Sequence, residues 1–332
     1  MSKGFKVVVT DFVEEPATFE REILGKHAEV ETLQAMGEEN LVGKVEDADA
    51  IMIYHYVTIT RPTIERLDKC RLIVRCGVGY DNIDYRFARE RGIDVANVPD
   101  YGSEEVADSA IGMALALARG FHFLNNRLRD DPVAPWSYEL TKPLRRLRGE
   151  TFGIVGVGRI GTATALRAKA LGMEVAYHDP YAPDGRDRSL GIRRVEELDD
   201  LLRQSHILSL HCPGTEETTN LIDERALSLM PEGSYLVNTA RGIVTDGDAV
   251  ANALESGNLA GAAIDVLPQE PPAEDTPLLQ AWRDPDHPAH HRLILNPHAA
   301  FYSEEGIDDM RIKGSNNCLR VLKGLPPRNL VN

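Results

Sequence analysis

Three glycines near the middle of the chain have the spacing of a dinucleotide-binding turn. An apolar run leads directly into Gly156-x-Gly158-x-x-Gly161, and an Ala- and Leu-rich helical pattern follows. Gly156 would permit a tight turn, Gly158 would let the backbone approach a pyrophosphate, and Gly161 would let the helix pack closely on the strand. Asp179 ends the next apolar strand, where a carboxylate accepts hydrogen bonds from an adenosine ribose. This spacing predicts a site for NAD.

Three ionisable side chains follow successive predicted strands in the second half of the chain. They are Arg241, Glu270 and His298. Ligands of an open α/β sheet bind at the carboxyl ends of its strands. Arg241 can hold a carboxylate and polarise the neighbouring carbonyl, and His298 can take up or return a hydroxyl proton. Glu270 can orient His298 and favour its charged form. Each residue alone has a structural explanation, but together they predict oxidation of a hydroxy acid.

Strand and helix signals alternate in both halves of the chain, which predicts parallel sheets covered by helices. A capped, apolar-periodic helix from Ser103 to about residue 118 separates the two halves. We therefore expect an α/β fold with two doubly wound parallel-sheet lobes. The predicted strands are 7–10, 50–54, 72–74 and 94–98 before this helix, and those starting near 151, 174, 207, 235, 262 and 293 after it.

Two segments do not fit the alternation. Residues 122–148 carry mixed charges and prolines, which predicts an extended arm. Residues 268–292 are rich in Pro, Asp and His, which predicts an irregular surface loop. His287, His290 and His291 could bind a metal ion there. A solvated loop is the favoured interpretation, because no carboxylate or cysteine pattern fixes a ligand geometry.

Composition narrows the class of protein. The chain has 332 residues, enough for two domains, and its hydrophobic fraction of 42% supports full cores. A formal net charge of −15 argues against binding to nucleic acid or to an anionic membrane surface. We expect neither a membrane span nor a signal peptide, because no apolar run is long enough. The four cysteines are widely spaced without a CxxC pair, which is typical of free thiols in the cytoplasm.

The chain resembles the NAD-dependent D-isomer-specific 2-hydroxyacid dehydrogenases over nearly its whole length. Within that family it is most similar to the C-terminal binding protein branch of dehydrogenase-like corepressors. The motifs that carry the resemblance are IVRCGVGYDNID (73–84), NVP (97–99), EEVADS (104–109), RGET (148–151), the glycine turn, HDPY (178–181), LHC (210–212), VNTARG (237–242) and PHAAFYS (297–303).

The resemblance implies a Rossmann NAD domain over residues 102–301, inserted in a flavodoxin-like substrate domain formed by residues 1–101 and 302–332. It implies that Arg241, Glu270 and His298 are catalytic. It also implies a homodimer formed through the connecting helix and the 122–148 arm. The implied cofactor contacts are Gly156, Gly158, Arg159, Ile160, Gly161, Asp179, Cys212, Thr239, Ala240 and Asp265. The implied substrate contacts are Tyr54, Arg75, Cys76, Gly77, Val78, Gly79, Phe301 and Met310, with the loop Cys76–Gly79 offering backbone amides to the substrate carboxylate.

The chain departs from the corepressor branch at two positions. Phe301 stands where that branch usually has Trp, and Val106 stands where it has Thr. The branch suggests an alternative function, an NAD(H)-sensing interaction module with weak dehydrogenase activity. The intact Arg, Glu and His set argues against it. A serine-pathway phosphoglycerate dehydrogenase is a third interpretation, but we expect such an enzyme to need further basic residues and usually a regulatory domain.

Overall fold

A computed structural model of the chain describes residues 4–131, 133, 136–141 and 143–332. Strands and helices alternate along these residues, as the sequence predicts. The strands are β1 (Phe5–Val9), β2 (Ala28–Thr32), β3 (Ala50–Ile53), β4 (Leu72–Arg75), β5 (Asp94–Asn97), β6 (Thr151–Val155), β7 (Glu174–His178), β8 (Arg193–Arg194), β9 (Ile207–Leu210), β10 (Ser234–Asn238), β11 (Leu259–Ile264) and β12 (Leu293–Leu295). The α-helices are α1 (Thr18–Leu24), α2 (Arg61–Glu65), α3 (Tyr85–Glu90), α4 (Ser103–Arg119), α5 (Phe121–Asp130), α6 (Arg159–Ala170), α7 (Arg186–Leu190), α8 (Leu198–Leu202), α9 (Glu224–Leu229), α10 (Gly247–Ser256), α11 (Pro277–Arg283) and α12 (Glu304–Leu322).

The chain divides into two compact units, each with its own sheet. Unit 1 comprises Met1–Gly102 and Tyr302–Asn332, and unit 2 comprises Ser103–Phe301. Each sheet is parallel, and the predicted α/β class with two parallel sheets is confirmed.

Unit 1 is built on a five-stranded sheet in the order β2-β1-β3-β4-β5. The interior strand β1 carries Val7, Val8 and Val9, all fully buried, as expected for a parallel strand covered on both faces. Helix α12 returns to this unit, where the Arg311 guanidinium donates to both carboxylate oxygens of buried Glu20 on α1 at 2.9 and 2.7 Å. This ion pair joins the two ends of the chain within one unit.

Unit 2 is built on a seven-stranded sheet in the order β12-β11-β10-β9-β6-β7-β8. The strand order reverses between β6 and β9, which is the place where open α/β sheets bind ligands. The long helix α4 begins the unit and packs on α6, and the Arg167 Nε of α6 lies 2.6 Å from the Asp108 carboxylate of α4. The predicted catalytic and cofactor motifs of unit 2 follow strands of this sheet.

Two segments predicted to be irregular contain helices. The predicted arm 122–148 begins instead as helix α5, because Leu124 and Leu128 recur at helical spacing after Gly120, which adopts a φ of 64°. Residues 132, 134, 135 and 142 of the predicted arm lie outside the described residues. The predicted loop 268–292 contains α11, which has Pro277 in its first turn and buries Leu278 and neighbouring apolar residues.

Among the residues that the structure describes, no helix is both long enough and apolar enough to cross a membrane.

Candidate functional site

The glycine turn after β6 has the geometry that its spacing predicts. Gly156 has a φ of 89°, a conformation that only glycine adopts without strain. A Cβ on Gly161 would lie 2.0 Å from the Gly156 carbonyl oxygen, so the helix start can approach the strand end only without a side chain. A Cβ on Gly158 would meet no atom within 4 Å, which leaves space beside the backbone for a ligand.

Asp179 connects the glycine turn to the end of β7. Its Oδ2 accepts a hydrogen bond from the Val157 N–H at 2.9 Å, and its Oδ1 accepts from the Tyr181 N–H at 3.0 Å. The carboxylate is thus held beside the turn, where the ribose of a dinucleotide would lie.

The remaining predicted cofactor residues lie along the carboxyl edge of the same sheet. Arg159 and Ile160 form the first turn of α6, and Cys212 follows β9, where burial raises the pKa of its thiol to about 11. The Thr239 hydroxyl oxygen is buried and has no hydrogen-bond partner among the described residues. An orphaned buried hydroxyl at this edge fits a site that receives a polar ligand. The donor set and the open side of Gly158 therefore fit NAD.

His298 and Glu270 are in direct contact after neighbouring strands. The Nδ1 of His298 lies 2.6 Å from the Oε2 of Glu270. The Oε1 of Glu270 accepts from the Leu267 N–H at 2.8 Å, so both oxygens of the carboxylate are engaged. The peptide bond between Glu270 and Pro271 is cis. Because the carboxylate accepts a hydrogen bond from Nδ1–H, the other ring nitrogen, Nε2, is the one suited to exchange a proton with a substrate.

Asp265 holds the backbone around His298. His298 has a φ of 52°, in the left-handed region that L-residues seldom adopt. The buried Asp265 carboxylate accepts hydrogen bonds from the N–H groups of Ala299 and Ala300 at 2.9 and 3.1 Å, and from the Asn296 side-chain amide. Burial raises the pKa of the Asp265 carboxyl, although these donors favour its charged form. This residue was predicted as a cofactor contact; its anchoring of the histidine loop was not anticipated.

Arg241 is positioned by Asn238, which sequence reasoning missed. The Asn238 Nδ2 donates to the Arg241 carbonyl oxygen at 3.1 Å, and the Ala240 N–H donates to the Asn238 Oδ1 at 3.0 Å. Asn238 is fully buried at the last position of β10. A polar residue ending an otherwise apolar buried strand was the signal available in the sequence.

Gly242 brings the Arg241 loop against the loop that leads to Glu270. A Cβ at Gly242 would lie 1.9 Å from the Leu267 carbonyl carbon and 2.3 Å from the Pro268 nitrogen. The two loops therefore touch through their backbones. The close approach links the placement of Arg241 to that of Glu270.

Several of the predicted substrate residues lie in unit 1. Arg75 ends β4, and its side chain crosses Gly77, where a Cβ would lie 1.3 Å from the Arg75 Nη1. Burial raises the pKa of the Cys76 thiol to about 12. Tyr54 and Met310 are buried, at 1% and 3% exposure.

The backbone amides of the loop Cys76–Gly79 divide into two groups. The Cys76 N–H donates to the Ile53 carbonyl and the Gly77 N–H to the Arg75 carbonyl. These two amides are engaged within unit 1, and the offer of loop amides to a substrate carboxylate stays a prediction. The amides of Val78 and Gly79 have no such partner within the described chain and stay available.

The three histidines of segment 268–292 have local partners. The His290 Nδ1 lies 2.6 Å from the Trp282 carbonyl oxygen, and the His287 Nδ1 accepts from the Ala289 N–H at 3.1 Å. His291 stands edge to face with Phe123. The metal interpretation of this cluster receives no support from these contacts.

Comparison with known proteins gives three matches of note. The NAD-binding domain of the D-isomer specific 2-hydroxyacid dehydrogenases matches residues 111–300. The D-3-phosphoglycerate dehydrogenase of Methanocaldococcus jannaschii is 35% identical over 98% of this chain, and this chain spans 59% of that protein. The structure of a D-lactate dehydrogenase from Aquifex aeolicus, complexed with NAD and lactic acid, is 28% identical, covers 96% of both chains and has a TM-score of 0.83.

Proposed function

The chain belongs to the D-isomer specific 2-hydroxyacid dehydrogenase family, and from that premise we propose that it transfers a hydride between NAD(H) and a D-2-hydroxy acid/2-oxo acid pair. The observation that carries the proposal is the contact of His298 with Glu270 at the edge of the sheet that bears the glycine turn. A proton-transfer pair and a dinucleotide cradle at one sheet edge are the two parts that this reaction requires.

His298 moves the proton in the proposed reaction. With its Nδ1–H held by Glu270, the neutral imidazole presents an unprotonated Nε2, which takes the hydroxyl proton when the alcohol is oxidised. In the reverse direction the imidazolium returns that proton to the oxygen of the 2-oxo acid. Glu270 serves as the orienting group, because its second oxygen is fixed by the Leu267 amide.

Arg241 binds the substrate carboxylate and stabilises charge on the reacting oxygen. Its Nη1 donates to the Ala240 carbonyl at 2.8 Å, and a guanidinium is the side-chain group suited to a charge-assisted fork with a carboxylate. Asn238 fixes the backbone from which this side chain extends.

The cofactor residues of unit 2 hold NAD(H), which supplies or accepts the hydride at its nicotinamide ring. The glycine turn and the first turn of α6 bind the pyrophosphate. Asp179 binds the adenosine ribose, and the orphaned Thr239 hydroxyl donates to a polar group of the bound dinucleotide. Cys212, Ala240 and Asp265 complete the proposed set.

The substrate is a small 2-oxo acid, and its identity is a matter for experiment. Unit 1 is the proposed substrate domain, with Arg75, Val78 and Gly79 as carboxylate contacts and Tyr54 and Met310 as further substrate contacts. The resemblance to the corepressor branch stays a prediction, because the matching relatives are named phosphoglycerate and lactate dehydrogenases. D-3-phosphoglycerate is a second candidate substrate, favoured by the identity with the archaeal enzyme over nearly the whole of this chain.

Assembly and location are also proposed. We place a homodimer interface at α4 and the segment after it, where Phe121, Trp136 and Tyr138 expose large aromatic rings that a second copy would cover. We propose that the enzyme acts in the cytoplasm. The NAD(H)-sensing module remains the alternative function, and it predicts NADH binding without appreciable turnover.

A substrate panel tests the proposal. NADH consumption is followed with pyruvate, glyoxylate, longer 2-oxo acids and 3-phosphohydroxypyruvate, with NADH binding measured separately. Turnover of at least one of these 2-oxo acids supports the dehydrogenase. Tight NADH binding without turnover on any acid favours the sensing module, and absence of NADH binding contradicts both.

A further inference from the structure

A hydrogen bond between two exposed side chains crosses the glycine turn. The Tyr181 hydroxyl donates to the Glu217 carboxylate. Tyr181 follows β7 and Glu217 follows β9, and β6 lies between these two strands in the sheet. The bond therefore spans the carboxyl end of β6, where the glycine turn begins.

Both residues extend from well-anchored backbone. The Tyr181 N–H donates to Asp179, whose other oxygen accepts from the glycine turn at Val157. Glu217 sits in a turn closed by Thr218, whose hydroxyl donates to the Pro213 carbonyl at 2.6 Å and accepts from the Thr215 N–H at 2.9 Å. Tyr181 is 78% exposed, so its side chain is accessible to a ligand.

The pair adds negative charge at the adenosine end of the cradle. The hydrogen bond to Glu217 raises the pKa of the Tyr181 hydroxyl, which keeps it protonated as a donor. Two carboxylates thus accept hydrogen bonds from Tyr181, Asp179 from its N–H and Glu217 from its hydroxyl.

We propose that Tyr181 and Glu217 form a second recognition element for the adenosine half of the dinucleotide, here called the adenosine strap. The Tyr181 ring packs against the adenine, and the Glu217 carboxylate repels a 2′-phosphate and so favours NAD over NADP. The inference rests on the proposed function, since it presumes that the glycine turn binds a dinucleotide.

Two substitutions separate the roles of the strap. Tyr181→Phe keeps the ring and removes the hydrogen bond. Glu217→Gln keeps an acceptor for the tyrosine and removes the charge. Dissociation constants are measured by fluorescence for NADH and NADPH, and by calorimetry for ADP-ribose and nicotinamide mononucleotide. Tyr181→Phe should raise the dissociation constants of NADH and ADP-ribose by about 5-fold, as expected for the loss of one hydrogen bond. The dissociation constant of nicotinamide mononucleotide should not change. Glu217→Gln should narrow the preference for NADH over NADPH.

Two matched controls come from the chain itself. Glu216→Gln makes the same change of net charge one residue away, and it should keep the wild-type preference between the two cofactors. Tyr302→Phe removes a similar hydrogen bond, between Tyr302 and Glu304 in unit 1, and should leave every constant unchanged.

The outcomes distinguish the strap from the function on which it rests. Wild-type protein that binds neither NADH nor ADP-ribose overturns the proposed function and the strap with it. Wild-type protein that binds NADH, with Tyr181→Phe and Glu217→Gln indistinguishable from it, overturns the strap alone. If Glu216→Gln and Glu217→Gln change the preference for NADH over NADPH equally, the strap is also overturned, because the effect would then come from the net charge of this surface and not from Glu217 itself.

Discussion

The rings of His298 and Phe301 stand edge to face, with centroids 6.2 Å apart and an interplanar angle of 82°. The aromatic side chain lies beside the imidazole that we propose as the acid/base. A group in this position would touch the part of the substrate next to the reacting carbon.

Phe301→Ala should therefore change which 2-oxo acids are preferred. Each buried methylene contributes about 0.8 kcal/mol, so loss of the ring should lower kcat/KM for a long apolar 2-oxo acid more than for pyruvate. The measurement is the ratio of the two kcat/KM values. Equal losses on both substrates would make Phe301 a packing residue.

His298→Gln should lower kcat by about 10²–10⁴-fold, the usual loss for a general acid/base. NADH affinity should stay near the wild-type value, because the substituted group acts on the substrate. Glu270→Gln should cost less, since Gln can still accept the Nδ1 hydrogen bond but does not stabilise the imidazolium. Wild-type turnover in both variants would contradict the assigned roles.

Gly242→Ala should disrupt the active site from a position that touches no reacting atom. The added Cβ would overlap the backbone at Leu267, and the Arg241 loop must shift away from the Glu270 loop. A displacement of about 1 Å can cost about 10²-fold, which is the fall in kcat/KM that we expect. Gly247→Ala is the control, because its Cβ would make only an ordinary contact with Leu278 at 3.8 Å. Similar kinetics in the two variants would show that the loops are not coupled.

His211 should make the protein less stable in acid. Burial lowers the pKa of its imidazole from 6.5 to about 3, so between these values the unfolded chain binds a proton that the folded chain does not. The free energy of unfolding therefore falls as the pH drops below 6.5, by about 2 kcal/mol at pH 5 from this group.

His211→Gln should reduce that dependence, because Gln does not titrate. Urea denaturation at pH 7.5 and pH 5 measures the difference in the free energy of unfolding between the two pH values, for the wild type and for the variant. His27→Gln, at an exposed position in unit 1, is the control and should keep the wild-type difference. If the free energy of unfolding of His211→Gln falls as much between pH 7.5 and pH 5 as that of the wild type, His211 is not the cause of the pH dependence.

Most of the fold could be predicted from hydrophobic pattern, and the omissions have physical reasons. All the buried central strands were predicted, because parallel strands covered on both faces read as apolar runs. The edge strand β2 was missed, since Ala28–Thr32 alternates apolar and acidic residues and pairs on one side only. The edge strand β8 was missed because it consists of Arg193 and Arg194. Helix α11 was hidden by flanking Pro and Asp residues.

The sequence shows the side chains of the candidate site, but it does not show the contacts that join distant segments around them. The types and spacing of Arg241, Glu270 and His298 were visible in the sequence. The backbone contact at Gly242 and the span from Tyr181 to Glu217 were not visible. They join segments that are distant in sequence and meet only because their strands are close in the sheet.

The hydrogen bonds from the loop after His298 to the Asp265 carboxylate should slow the exchange of two backbone amides with solvent. The N–H groups of Ala299 and Ala300 lie between β12 and α12, outside both, where loop amides ordinarily exchange quickly with solvent deuterium. Because a buried carboxylate accepts both, they should exchange as slowly as amides of the neighbouring sheet, which deuterium labelling of the ligand-free protein can measure. Rapid exchange would show that this loop opens on its own. If exchange is slow, the exchange rates of these two loop amides report whether the loop around His298 is intact. That measurement requires no substrate.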